Sequence, residues 1–159
     1  MEQPEARRGP YTISTDPARL DLAAVHAYLS RSYWAAGIPF DVVERAAANS
    51  LCFGLYCERE VGDAGAVREE QVGFARAITD RATFAYLADV YVLEAHRGQG
   101  LAKWLVGFIL EHPELQGLRR FMLVTRDAAG LYAPFGFRPP EEPSGIMQIR
   151  RPDVYGAAR

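Results

Sequence analysis

The sequence predicts an α/β domain in which an antiparallel meander is followed by a parallel strand pair joined through a helix. Three apolar runs at 51–57, 72–78 and 84–93 are joined by short polar connections, which is typical of antiparallel strands. An amphipathic segment at 100–112 then separates the third run from an apolar run at 121–124. This strand–helix–strand order favours a parallel pair.

Length and composition narrow the class of protein. The chain has 159 residues, which is a usual length for one domain. Its content of 49% apolar and 24% charged residues is typical of globular proteins. The net charge of −2 lacks the basic excess of nucleic-acid binders, and no apolar run approaches the roughly 20 residues of a membrane span. The first ten residues are polar and do not have the apolar run expected of a secretory signal. We therefore expect a cytoplasmic protein with neither nucleic acid nor membrane as a partner.

The chain is predicted to consist of a domain between two tails. Residues 1–10, rich in charge and proline, predict a loose N-terminal tail, residues 11–151 the domain, and residues 152–159 a C-terminal tail. Asp21 is placed to cap a first helix, and a second helix is predicted at about 41–49.

Four shorter segments complete the prediction. Glycines and charged residues at 61–71 indicate a solvent-facing turn. One or two helical turns are expected at 127–132, an extended piece at 135–137, and a last strand at 146–149.

The segment from Val90 to Lys103 carries the chemistry. A buried strand ends there, a turn with Gly98 and Gly100 follows, and a long helix begins. Such a turn brings backbone N–H groups and the positive end of a helix dipole to one place, which suits a phosphate. The alternative is a plain helix-start turn. The P-loop pattern is absent, and Lys103 stands where a dinucleotide fingerprint needs its third glycine.

Two motifs carry a family resemblance. Arg97-x-x-Gly100-x-Ala102 matches the phosphate-binding pattern [Q/R]-x-x-G-x-[G/A], and residues 131–137, LYAPFGF, match the downstream pattern L-Y-x-x-x-G-F. With these motifs in this order, the sequence resembles the GCN5-related N-acetyltransferase (GNAT) superfamily.

The resemblance implies both a fold and an activity. The fold is a single domain with a mixed, mostly antiparallel sheet of about six or seven strands and helices on both faces. The activity is an acetyl-CoA-dependent N-acetyltransferase that moves an acetyl group to a primary amine of a small molecule or peptide by direct attack. Coenzyme A is the only cofactor implied, no metal is expected, and the protein is a monomer or a homodimer.

The resemblance also implies the cofactor site. Backbone groups of Tyr91 and Val92 would pair with the pantetheine arm, and an amide near Val92 would be the oxyanion donor. Asp127 is a cofactor or substrate contact, or else the cap of the next helix. The phosphate-binding residues would be Arg97, Gly98, Gln99, Gly100, Leu101, Ala102 and Lys103.

Two residues are candidates for the catalytic steps. Tyr132 lies where the family places a tyrosine near the thioester sulfur, so it would be the general acid, or else a packing residue that orients the cofactor. Strict strand alternation puts Asp89 on the face opposite Tyr86 and Ala88. Asp89 would be the base or a water-wire anchor if a β-bulge turned it, and otherwise a buried structural acid.

The amine acceptor is expected along an aromatic wall. Tyr33, Trp34, Phe40 and Tyr86 are the candidate acceptor-binding residues, with core packing as the alternative. Cys52 and Cys57 lie too far apart on one strand to pair and indicate inert core thiols. Two rival functions stay open: a non-catalytic acyl-CoA-binding module and a nucleotide-phosphate binder.

Overall fold

Six strands form one continuous sheet within residues 3–156, the part of the chain that this computed structural model describes. Residues 1, 2 and 157–159, which belong to the two predicted tails, lie outside it. In chain order the main elements are β1 (Glu5–Arg8), β2 (Tyr11–Ser14), α1 (Leu22–Leu29), α2 (Phe40–Ala48), β3 (Leu51–Val61), β4 (Ala66–Thr79), β5 (Phe84–Val92), α3 (Leu101–Glu111), β6 (Arg120–Leu123) and α4 (Ala129–Tyr132).

The strands lie side by side in sequence order. Neighbouring strands from β1 to β5 are antiparallel, and β5 pairs with β6 in parallel across α3. This arrangement confirms the predicted meander, the parallel pair and the mixed sheet.

The helices cover both faces of the sheet, as predicted. On one face, Leu105 and Ile109 of α3 pack against β-strand residues such as Phe53. On the other, Val25 of α1 and Val43 of α2 pack over a second apolar cluster. The apolar stripe of α3 is wide enough to bury one side of the helix completely.

The predicted cap of α1 is confirmed. The Asp21 carboxylate accepts a hydrogen bond from the Ala24 N–H at 3.0 Å. The backbone N–H of Asp21 in turn donates to Gln71 Oε1 at 2.8 Å, which ties the start of α1 to β4.

Parts of the predicted outline were wrong at the chain ends. Residues 5–8, predicted as loose tail, pair with β2, because an edge strand forms through its backbone and leaves no apolar pattern in charged side chains. The strand predicted at 146–149 has no strand partner among the described residues, and Met147 is 92% exposed. The expected turn at 61–71 shrinks to 62–65 because β3 and β4 pair up to Val61 and Ala66.

We expect Gly54→Ala to destabilise the fold. A Cβ on Gly54 would lie 2.2 Å from the Tyr56 hydroxyl oxygen, and the Tyr56 ring is buried. The ring would have to move, so the free energy of unfolding in urea should fall by about 1–3 kcal/mol. Gly145→Ala is the control, since a Cβ there meets nothing within 4 Å. Equal losses in both variants would contradict the clash.

Candidate active site

A gap opens between β5 and β6 at their carboxyl ends. The two strands pair only from Phe84 with Arg120 to Leu87 with Leu123, whereas β5 continues to Val92. The backbone of the second half of β5 therefore has no strand partner on its β6 side among the described residues. A gap of this kind can admit an extended ligand that hydrogen-bonds like a strand.

A β-bulge in β5 closely follows the last residue of β5 that pairs with β6. Arg76 pairs with Ala88 and Phe74 with Tyr91, so two residues of β5 oppose one residue of β4. Asp89 lies in this bulge with φ of +58°. Strict alternation was therefore wrong for Asp89, which the bulge turns toward the α1–α2 face.

The Asp89 carboxylate is held at both oxygens. Arg76 Nε donates to Oδ2 at 2.5 Å, and Trp34 Nε1 donates to Oδ1 at 2.9 Å. Arg76 Nη1 also reaches Ser50 Oγ at 3.2 Å. The Asp89 side chain is 9% exposed. This environment is that of a satisfied structural acid, and it fixes Trp34 at the edge of the gap.

The backbone of Val92 presents a hydrogen-bond donor to the gap. Leu93 N donates to Val72 O at 2.8 Å, and Val92 is paired with Gly73. Because backbone groups alternate in direction along an antiparallel strand, the N–H and C=O of Val92 point away from β4. Arg97 Nε donates a hydrogen bond to the Val92 carbonyl oxygen at 2.9 Å. The Val92 N–H is therefore the backbone group that stays free to bind a ligand.

The turn before α3 has the geometry of an anion cradle. Gly98 has φ of +82° and Gly100 φ of +75°, a backbone region that L side chains avoid. A Cβ at Gly98 would meet nothing within 4 Å, so the turn has an open face. The first turn of α3, with Leu101, Ala102 and Lys103, carries unpaired N–H groups and no acidic side chain.

Long-range hydrogen bonds hold this turn in place. Arg97 Nη2 donates to the Tyr28 hydroxyl at 3.0 Å, which links the turn to α1. The Tyr11 hydroxyl lies 2.9 Å from His96 Nδ1 and accepts from Gln99 Nε2 at 3.1 Å. The side chains of Arg97 and Gln99 thus support the turn, and its backbone is what faces outward.

One cation near the turn could not be anticipated from the sequence. The Arg8 guanidinium of β1 lies 4.7 Å above the Trp104 ring. Its Nη1 lies 4.0 Å from where a Cβ on Gly100 would be. No local pattern reveals this, because Arg8 reaches the turn only through the pairing of β1 with β2.

Tyr132 lies in α4 with a buried ring. Burial raises its pKa to about 12, and Tyr33 nearby adds to the rise. The ring packs edge-on against Phe137, with centroids 5.9 Å apart. The phenol therefore keeps its proton throughout the neutral range, as a general acid requires.

The aromatic candidates form a surface, so the core-packing alternative was wrong for three of them. Tyr33, Trp34 and Phe40 are 49%, 41% and 43% exposed. The Arg126 guanidinium lies 3.8 Å over the Tyr33 ring, whereas Phe40 packs edge-on against His26. We call Tyr33, Trp34 and Arg126 the aromatic face.

The remaining two candidates lie at the edges of this region. Tyr86 is partly buried, and its pKa is raised first by burial and then by the nearby Asp89. Asp127 is exposed and does not cap α4: the N-cap position is Ala128, and no side chain accepts a hydrogen bond from the first turn of the helix. The capping alternative for Asp127 was therefore wrong.

Within residues 3–156 no group of three or more His, Cys, Asp and Glu side chains could hold a metal ion. No helix in that same range is long and apolar enough to cross a membrane.

Comparison with known protein families decides the assignment. The family model described as "Acetyltransferase (GNAT) domain" matches residues 52–139. The chain belongs to the GNAT acetyltransferase family. The matched range runs from β3 past α4, so it includes the bulge, the turn before α3 and Tyr132 of this GNAT domain.

Three known proteins show how this GNAT domain compares with others. A protein of Gibberella zeae, assigned as an acetyltransferase, is 44% identical over 138 residues, 79% of this chain and 77% of its own. A crystal structure from Xanthomonas campestris pv. campestris, assigned to the GNAT family, is 47% identical, covers 91% of this chain and 96% of its own, and has a TM-score of 0.81. An acetyltransferase structure from Clostridium acetobutylicum with acetyl-CoA shares the fold alone, at 13% identity, 94% and 95% coverage and a TM-score of 0.57.

Several predicted site residues lie on β5 or on the segments that follow it in this GNAT domain. β5 contributes Asp89 and Val92, the turn before α3 lies beyond the end of β5, and α4 carries Tyr132. Sequence reasoning missed Arg8, Arg76 and Arg126, whose positions depend on strand register and on contacts between distant segments.

Proposed function

We propose that this protein is an acetyl-CoA-dependent N-acetyltransferase that acts on a primary amine of a small molecule or peptide. The observation that carries the proposal is the gap between β5 and β6, with an open Val92 N–H on one side. The cradle before α3 follows the carboxyl end of β5, and Trp34 of the aromatic face contacts Asp89 in the bulge of β5. Family membership and the shared fold of a relative that contains acetyl-CoA support it.

The residues present fit coenzyme A. A pyrophosphate needs N–H donors, positive potential and room, and the turn with Gly98 and Gly100 supplies all three. Tyr91 and Val92 would hold the pantetheine arm along the free edge of β5. When bound, acetyl-CoA supplies an activated acetyl group.

The chain's own groups then perform the transfer. The neutral amine attacks from the aromatic face, a C–N bond forms and the C–S bond breaks. The Val92 N–H stabilises the negative charge that develops on the carbonyl oxygen. Tyr132 gives its proton to the leaving sulfur and regains one from water, while the proton of the amine passes to solvent. Asp89 acts by holding Trp34 rather than as the base, because both its oxygens are engaged.

Arg8→Gln is expected to weaken binding of coenzyme A by about fivefold to tenfold. The Arg8 guanidinium lies beside the turn that would hold the phosphates, so the variant removes positive charge there. Titration calorimetry measures the change. Arg7→Gln is the matched control, since Arg7 pairs instead with Glu5 and Glu58. Equal affinities in both variants would contradict a role for Arg8.

Thermal unfolding with acetyl-CoA, CoA and ADP tests the cofactor. A ligand at about a hundred times its Kd stabilises by roughly 2.7 kcal/mol, which raises Tm by several degrees in a domain of this size. We expect a shift with acetyl-CoA and CoA but little with ADP. No shift with any of the three would overturn the proposal, and an equal shift with ADP would favour the nucleotide-phosphate binder.

A transfer assay separates an enzyme from a binding module. The engaged Asp89 leaves no carboxylate free at the bulge, which is the observation that favours a non-catalytic acyl-CoA-binding protein. We expect free CoA to appear in the presence of primary amines. Tight acetyl-CoA binding with no transfer to a broad amine panel would support the binding module instead.

A further inference from the structure

The aromatic face carries a fixed cation beside the gap. The Arg126 guanidinium follows β6 on one side, and Tyr33 belongs to the α1–α2 connection on the other. Their contact at 3.8 Å therefore joins the segment after β6 to the α1–α2 connection. Arg126 is exposed, and no carboxylate among residues 3–156 forms an ion pair with it.

Both rings of the aromatic face already make contacts within the protein. One face of Tyr33 is covered by Arg126, and Trp34 meets Tyr33 edge-on, with centroids 5.1 Å apart. The Trp34 indole N–H is already donated to Asp89. A second cation on the Tyr33 ring would lie close to the Arg126 guanidinium and be repelled by it, which disfavours a polyamine here.

Arg126 is the cation of the aromatic face that has no acidic partner among residues 3–156. Asp89 is neutralised by Arg76 at 2.5 Å. The Asp89 charge is therefore balanced locally, whereas Arg126 has no such partner. Asp127 is exposed beside Arg126 in sequence but makes no ion pair with it. The potential at the entrance therefore favours an anionic group over a cationic one.

We propose that the acceptor carries a carboxylate near its amine and that Arg126 binds this carboxylate. The proposal rests on the proposed function. Stacking on Tyr33 holds the planar guanidinium in one orientation, while its N–H edge stays free for two parallel hydrogen bonds to a carboxylate. Arg126 is thus a specificity-determining residue, and the substrate class is an amino acid-like amine or a peptide with an acidic residue near its N-terminus.

Matched acceptors test this inference. γ-Aminobutyrate, its amide and putrescine share one chain length and differ in the charge at the far end. The dipeptide amides Ala-Glu and Ala-Gln form a second series for a peptide acceptor, in which the second side chain ends in a carboxylate or an amide. For the better of the two series, we expect kcat/KM to be about tenfold higher for the carboxylate member than for its amide, and lowest for putrescine. A larger ratio of carboxylate to amide in the γ-aminobutyrate series identifies the acceptor as a free amino acid-like amine. A larger ratio in the dipeptide series identifies it as a peptide.

Variants of Arg126 locate the preference. Arg126→Gln should abolish the preference for the carboxylate over the amide, because it raises KM for the carboxylate member alone. Arg126→Lys should restore part of this preference. Arg119→Gln is the control, because Arg119 is exposed at the opposite end of β6. Equal rates for carboxylate and amide in the native protein would overturn the inference, as would a preference that survives Arg126→Gln. Acetyl-CoA binding measured alongside reports separately on the proposed function.

Discussion

Tyr132→Phe is expected to lower kcat about a hundredfold and to leave the affinity for acetyl-CoA nearly unchanged. The variant removes only the hydroxyl that would protonate the leaving sulfur, and the buried ring keeps its packing against Phe137. Steady-state kinetics with a saturating acceptor gives kcat, and calorimetry gives the affinity. An unchanged kcat would leave Tyr132 as a packing residue.

Tyr56→Phe is the matched control for that variant. The Tyr56 hydroxyl is buried and has no hydrogen-bond partner among the described residues, so its loss should affect neither kcat nor stability adversely. The pH profile adds a second check. An acid with a pKa of about 12 is lost only as pH rises through that value, so kcat should show no alkaline fall below about pH 10. A fall near neutral pH would contradict Tyr132 as the acid.

Gly100→Ala is expected to reduce the affinity for acetyl-CoA by at least about tenfold. Gly100 holds φ of +75° at the start of α3, and an alanine there is strained. Relief of the strain turns the first N–H groups of the helix away from the ligand. Calorimetry with acetyl-CoA measures the loss.

Gly117→Ala separates the cradle from general destabilisation. Gly117 has φ of +69° and nothing within 4 Å of its Cβ position, so it imposes a similar strain outside the turn before α3. We expect both variants to unfold at a similarly lowered Tm, while only Gly100→Ala loses affinity. Equal affinities would show that the turn does not depend on the left-handed backbone.

The central sheet and α3 could be predicted because local pattern is enough to specify them. The apolar stripe from Leu101 to Ile109 recurs at helical spacing, and the runs of β3, β4 and β5 alternate or stay apolar over their buried lengths. Short connections then leave few ways to arrange these strands. The turn with Gly98 and Gly100 followed from the same local logic.

The missed features depend on partners that lie far away in sequence. β1 forms by pairing with the edge of β2, whereas residues 146–149 pair with no strand among the described residues. The bulge at Asp89 is a mismatch between two strands, which neither strand reveals alone. The contact of Arg126 with Tyr33 likewise depends on how two distant connections meet.

The left-handed backbone at Asp89 changes how an alignment of relatives should be interpreted. With φ of +58°, this position tolerates glycine, asparagine and aspartate far better than other residues. Evolution is therefore expected to keep a short polar residue here for the sake of the bulge, whatever the chemistry nearby. An invariant aspartate at this position would therefore reflect the backbone conformation and not catalysis. Conservation at Tyr132 is the better sign of catalysis, because the helical backbone there accepts many residue types.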